Sequence, residues 1–159
     1  MESSSSPAEP RALAEEVHRF FADHDWPTAP YEEPPSLQMM YQGDCGRWGC
    51  LALIREEEQQ LIVYSVCPAG APQERRTQMG EFVTRANSRL SMGNFEMGYE
   101  TGEVRFKTAL DLGGHPISQA LINQLVFGNV LLMDRYLPGI MAVLYGDVSP
   151  VDAIAQIEG

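Results

Sequence analysis

The sequence is poor in the residues from which reactive sites are usually built. Its 159 residues include three cysteines and three histidines. Cys45, Cys50 and Cys67 lack the spacing of a zinc site and have no histidine close in sequence, so they read as small core or turn residues. A cysteine nucleophile needs a base beside it, and the candidates are His18, His24 and His115. His24 follows Phe20 by one helical turn and reads as a packed or rim histidine. The glycines of GDCGRWG (43–49) lie between two strands, whereas a phosphate loop delivers its ligand to a helix N-terminus. Glu56-Glu57-Glu58 reads as a solvated acidic turn, not a cation site. No acid and base are paired in the pattern. No catalytic, cofactor or metal residue is assigned, and the chain is read as non-enzymatic.

Positive charge is scarce as well. Eleven Lys and Arg against 22 Asp and Glu leave a formal net charge of −11. That argues against nonspecific nucleic-acid binding, which depends on neutralising phosphates, and against docking on an anionic membrane. Long apolar runs are missing too: Asn129, Asp134 and Arg135 break the longest ones short of about 18 residues, so no membrane span is predicted. The opening MESSSSPAEP is acidic and polar, unlike a secretory signal, and residues 1–10 are expected to be a disordered tail. Three cysteines cannot all pair, which fits a reducing cytoplasm.

What remains is an ordinary globular composition, 44% hydrophobic, with no internal repeat. Residues 11–159 suit a single domain that buries roughly 68–70% of its chain surface. The periodicity predicts a helix over 11–25, ended by Trp26-Pro27. A proline-rich connector over 27–35 is expected to carry neither helix nor ladder. Strands follow at 36–42, 47–55 and 60–67 as a meander. The second and third of these are apolar on both faces, which predicts a central place with something packed on each side.

A helix over 73–90 carries the stripe Met79, Phe82, Val83, Ala86 and Leu90, with Arg85 and Arg89 near its end to suit the helix dipole. Arg75, Arg76, Arg85 and Arg89 could together form a small basic patch. A hairpin comes next, with Phe95, Met97 and Tyr99 inward on one strand and Val104, Phe106, Thr108 and Leu110 on the other. Glu96, Arg105 and Lys107 face outward as cross-strand ion pairs. Ser149-Pro150 with Asp152 opens a last short helix. The order α-β-β-β-α-β-β-α-α predicts an α+β fold, an antiparallel five-stranded sheet with flanking helices.

The longest element is Ile117–Tyr145. At about 100° per residue, Leu121, Ile122, Leu125, Leu132, Met133 and Tyr136 share one face, and Gln119, Asn123, Gln124, Asp134 and Arg135 gather opposite. Val126, Val130 and Leu137 widen the apolar arc, while Phe127 and Leu131 fall within the polar one. A helix apolar around most of its circumference is usually covered on more than one side. Val126, Phe127, Val130, Leu131 and Leu137 are therefore the candidate interaction surface. Asn129 lies within the apolar arc and either bonds a neighbouring backbone group or meets its copy in a second subunit. Pro138 is expected to stop the regular helix, and Gly139 to permit a bend.

Three blocks carry a family resemblance: GNFEMGYETGEVRFKTALDL (93–112), ALINQLVFGNVLLMDRYLPGI (120–140) and YGDVSPVDAIAQIEG (145–159). On these the chain resembles the YbjN-type family of bacterial sensory transduction regulators, and its cyanobacterial members most. The resemblance implies a fold like that of type III secretion chaperones, which are often dimers holding segments of other proteins. It brings no catalytic residues. The expected function is a cytoplasmic, homodimeric, chaperone-like regulatory module that engages an unidentified protein through apolar surface of the sheet and long helix. The alternative is a small-molecule sensor with an apolar pocket beneath the long helix, near Asn129 and Tyr136.

Overall fold

The computed structural model describes residues 12–159, so the expected tail over 1–10 lies outside the described residues. Helix α1 (Leu13–Asp23) turns Leu13, Val17, Phe20 and Phe21 inward at helical spacing. Strands β1 (Ala29–Pro30), β2 (Leu37–Gln42), β3 (Arg47–Arg55) and β4 (Gln60–Val66) follow, then a 3₁₀ turn at Gln73–Arg75 and helix α2 (Arg76–Asn87). The hairpin β5 (Asn94–Met97) and β6 (Val104–Asp111) leads to α3 (Gln119–Tyr145) and α4 (Pro150–Glu158). The strands form one antiparallel sheet in the order β1-β2-β3-β4-β6-β5.

The fold is the α+β arrangement the pattern predicts, with six strands instead of five. The extra one is Ala29–Pro30, inside the connector expected to make no ladder. Proline has no amide to donate, but at a sheet edge none is needed. The Gln38 side chain adds a bond there, donating from Nε2 to the Pro30 carbonyl at 3.0 Å.

Burial alternates along β3. Trp48, Cys50, Ala52 and Ile54 are buried, and Gly49, Leu51 and Leu53 between them are half-exposed. The buried set continues across the sheet through Leu61, Val63, Ser65, Phe106 and Thr108 and packs with α1, α2, α3 and α4 in one core. The helices thus form one layer on one face of the sheet. The expectation that β3 and β4 are covered on both faces is corrected: among the described residues no helix packs on the other face, and only the Pro27–Ala29 connector borders it at one edge.

Helix α3 runs through Pro138 without stopping. The ring lies on an exposed position, and Leu137, Gly139, Ile140, Val143 and Leu144 around it are all buried. An internal proline costs about 3 kcal/mol. Burying each large apolar side chain returns about 1.5–3 kcal/mol, so packing wins. Gly139 serves proximity instead of a bend: a Cβ there would collide with Ile157 of α4 and lie 3.0 Å from the Phe82 ring of α2. By length and composition α3 could cross a membrane, but 56% of its most apolar window is buried within its own chain. It is the core helix of this domain.

Local pairings fix the margins of the sheet. The carboxamide of Asn87, in the last turn of α2, meets both backbone groups of Phe95: Nδ2 donates to the carbonyl at 3.0 Å, and Oδ1 accepts from the amide at 2.7 Å. At the opposite margin the Trp26 indole N–H donates to the Met40 carbonyl at 2.8 Å. Ser118 accepts from the Leu121 amide and caps α3; Ser149 accepts from the Asp152 amide and caps α4, as its sequence predicts. Ala12 offers α1 no side-chain cap, and Glu56 from the β3–β4 turn takes that place by accepting from the Ala14 amide at 3.1 Å. Glu56 is therefore a structural residue, not a solvated one.

Candidate interaction surface

The uncovered face of the sheet follows from register. Rows of neighbours run Met40–Gly49–Val66–Arg105–Glu96, Gln38–Leu51–Tyr64–Lys107–Asn94 and Leu53–Ile62–Ala109. Met40 is 49% exposed, and Leu51, Leu53, Ile62 and Val66 are half-exposed. Gly49 leaves a trough in this face, which the Pro27–Ala29 connector walls into a groove of about 590 Å³. The groove is apolar, with Met40, Leu51 and Val66 among its lining and Arg47 at one end. Toward β5 the face becomes polar. Glu96 bonds Arg105 at 3.0 Å and lies 3.5 Å from Lys107, as predicted, and the Arg105 guanidinium sits 4.4 Å from the centre of the Tyr64 ring.

The five helix residues singled out in the sequence divide. Val126, Val130 and Leu137 point into the chain's own core and are not available at its surface. Their width of apolar arc is used by the sheet on one side and by α1, α2 and α4 on the others. Leu131 is 56% exposed. Phe127 is half-buried in an aromatic group with Phe20, His24 and Trp26. Leu121 is exposed on the same ridge, as is the space above Gly128, where a Cβ would touch nothing within 4 Å.

Asn129 takes the intramolecular course. Its amide nitrogen donates to the carbonyls of Val63 at 2.9 Å and Phe106 at 3.1 Å and lies 3.2 Å from the Thr108 hydroxyl. Thr108 in turn donates to the Leu125 carbonyl at 2.8 Å, so the pair rivets α3 to β4 and β6. A meeting between Asn129 and its copy is excluded, because the amide is fully enclosed by the sheet. For the same reason no cleft opens beneath α3 at this point. The cleft beside Tyr136 is polar, about 490 Å³, and bordered by Arg89, Ser91, Arg135 and Glu158. The apolar groove lies on the other side of the sheet.

Asp134 is the residue that angular plotting misplaced. It is buried, and its carboxyl oxygens accept from the backbone amides of Asp44 and Cys45. The only clue was the glycines of that turn: a Cβ on Gly43 would strike Asp134, and one on Gly46 would lie 2.7 Å from Leu137. Tyr99 is likewise exposed, not inward, because β5 ends at Met97.

The remaining polar candidates are structurally committed. Among the described residues no group of three His, Cys, Asp or Glu could hold a metal. His24 Nδ1 lies 2.8 Å from the Phe20 carbonyl, and His18 Nε2 3.0 Å from that of Pro35. Burial pushes the Cys50 thiol up to about 11 and raises Cys67 also. Cys45 is exposed, but partial desolvation and the nearby Asp134 and Asp44 hold its thiol above the usual value. None is an activated thiolate. The arginines at α2 form no free patch: Arg75 pairs with Asp147 at 2.8 Å, Arg85 with Glu81 at 3.4 Å and Arg89 with Glu158 at 3.4 Å. Arg76 donates to the carbonyls of Ala71, Tyr99 and Glu100.

Two solved structures share this architecture. The first is that of the ExsC–ExsE complex, with a TM-score of 0.57 and 12% identity over 79% of this chain and 91% of that one. The second is that of YbjN from E. coli, described as "a putative transcription regulator", with a TM-score of 0.57 and 7% identity over 90% and 92%. At such identities the likeness is one of fold, and the fold is the type III secretion chaperone-like one the resemblance implied. No curated protein matches the sequence. The YbjN family, described as "Putative bacterial sensory transduction regulator", matches residues 13–140. Most of the sequence lies within that match, and the chain belongs to the YbjN family.

Proposed function

We propose that this protein is a non-enzymatic, chaperone-like regulatory module that binds another protein through the uncovered face of its sheet. One observation carries the reading: a face containing Met40, Leu51, Leu53, Ile62 and Val66 has no covering layer among the described residues. Sheets in stable domains have their apolar faces packed against something. The family's description as regulators and the fold shared with ExsC, solved together with ExsE, support a protein as the covering element. A cytoplasmic location accords with the free cysteines. The test is affinity capture from the native host with the wild type and with Leu53→Asp. Specific capture lost in Leu53→Asp and kept in Leu131→Asp is expected. Equal capture by all three would overturn the assignment of the face.

We read the ridge of α3 as the contact between two copies. Leu121 and Leu131 are exposed there, and the bare surface of Gly128 between them admits close approach of a second helix. Light scattering should give a dimer for the wild type and a monomer for Leu131→Asp. A second reading of the sheet groove, as a site for a small apolar ligand, is favoured by its volume of about 590 Å³, within the usual range for such sites. A ligand there would raise the melting temperature by mass action, which a thermal-shift screen would detect.

A further inference from the structure

The uncovered face carries a charge opposite to that of the molecule. The chain as a whole is at −11 with eleven basic residues. Four of those eleven, Arg47, Arg55, Arg105 and Lys107, stand on this face by register, against three carboxylates, Glu96, Asp111 and Glu103, the last 4.0 Å from Arg105 just before β6. Arg105 and Lys107 share Glu96. Asp111 is hydrogen-bonded to Gln60 at 2.9 Å and to the Gly113 amide. Arg47 and Arg55, both exposed, have no ion pair or hydrogen-bond partner for their side chains among the described residues. They stand at the two ends of β3, with Leu51 and Leu53 between them.

Among the described residues nothing pairs with the two cations that bracket this apolar strand in so acidic a protein. Resting on the reading that this face binds a protein, we infer that its occupant is an amphipathic helix of a partner, apolar along one stripe and acidic at both ends. A helix laid on the open sheet face would complete a helical layer on each side of the sheet. The ends of β3 are eight residues apart, roughly 26 Å at strand rise. That span corresponds to about 17 residues of helix, which sets the spacing between the two acidic ends. A second copy of this chain in the same place would oppose one set of cations to another, a repulsive arrangement. An anionic membrane is disfavoured because the rest of the surface is strongly negative.

The test uses the full chain and three labelled synthetic helical peptides of equal length and equal apolar stripe, followed by fluorescence anisotropy. The first has Glu at both ends, the second Lys at both ends, and the third has the composition of the first in scrambled order. The Glu peptide should bind at least about tenfold more tightly than the other two, the preference shrinking as salt is raised. Arg47→Glu combined with Arg55→Glu should abolish the preference; both residues are exposed, so the fold is kept, as circular dichroism would verify. Leu53→Asp should weaken all binding.

Equal or stronger binding of the Lys peptide that is still lost in Leu53→Asp would overturn the acidic preference and leave the face as a protein-binding surface. Failure of every peptide to bind, with concentration-dependent self-association removed by Leu53→Asp, would overturn the inference in favour of a second copy. Failure with no effect of Leu53→Asp on any readout would overturn both the inference and the function it rests on. Co-sedimentation with phosphatidylserine vesicles stronger than with the Glu peptide would overturn it in favour of a lipid surface.

Discussion

Asp134 of α3 accepts a hydrogen bond of 2.8 Å from the backbone amide of Cys45, 89 residues earlier in the chain. Its other carboxyl oxygen takes the Asp44 amide at 3.0 Å. One side chain thereby satisfies two donors of the β2–β3 turn and seats that turn on the long helix. Asp134→Ala should destabilise the domain by about 2–4 kcal/mol, since two partly buried amides lose their acceptor. Asp134→Asn, which keeps one oxygen acceptor, should cost about half as much. Urea denaturation with fluorescence from Trp48, buried beneath this turn, would measure both.

Neighbouring residues of α3 should respond in opposite ways to a new charge. Val130 is fully enclosed in the core and Leu131 is mostly exposed. Val130→Asp should abolish cooperative unfolding, because an unpaired buried carboxylate costs several kcal/mol. Leu131→Asp should leave the melting temperature nearly unchanged while shifting light scattering toward the monomer.

Two glycines of the same helix make a second contrast. Gly139→Ala places a methyl against Ile157 and Phe82 and should destabilise by about 1–3 kcal/mol. Gly128→Ala meets open space and should stabilise the isolated chain by about 0.5–1 kcal/mol. If α3 ridges pair between copies, the same Gly128→Ala change should weaken self-association. A stabilised variant that dimerises as before would remove Gly128 from the contact.

Alkaline pH should act through Tyr136. Burial first, then its hydrogen bond and proximity to Glu158, push this phenol up to about 12. The folded state therefore prefers the protonated phenol. Its contribution to stability is complete below the unfolded value of about 10 and is lost as pH rises toward about 12. Tyr136→Phe gives up the 2.7 Å bond to Glu158 and should be less stable at neutral pH by about 1 kcal/mol. Its stability should decline less steeply between pH 10 and 12, as alkaline titrations of unfolding would register.

Thiol labelling should separate the cysteines. Cys45 is exposed, while Cys50 and Cys67 are buried. At mildly alkaline pH a disulfide reagent should modify Cys45 first, more slowly than a free thiol because its ionisation is held back. Cys50 and Cys67 should react only at the rate of unfolding.

The element order and most burial stripes were legible in the sequence because they rest on local periodicity, which α1, α2 and β6 express clearly. The cap of α4 was legible for a like reason, since Ser149 and Asp152 are three residues apart. Contacts between distant residues were not. Nothing local marks Asp134 as the acceptor for amides 89 and 90 residues away, or Glu56 as the cap of α1. Pro138 misled because a breaker's cost is local, whereas the core that outweighs it is assembled from α2, α4 and the sheet. The surface suffered the same limit. Apolar residues all around α3 suggested an exposed side, yet most of that circumference is enclosed by the chain's own elements. The exposed apolar face belongs to the sheet: β3 and β4 are apolar on both sides, which predicts cover on both, and no local pattern marks the side the helices leave open.

The side chains that plug the two margins of the sheet carry a consequence for the protein at high concentration. With Phe95 already matched by Asn87, and the Met40 carbonyl by Trp26, an incoming strand finds these edge groups taken, and the edge strands β1 and β5 are only two and four residues long. Visitors are steered to the flat of the sheet, where side chains and not main chain do the recognising. Cutting back Asn87 to Ala would reopen one flank, and the cost would be read as slow fibre growth in a thioflavin assay.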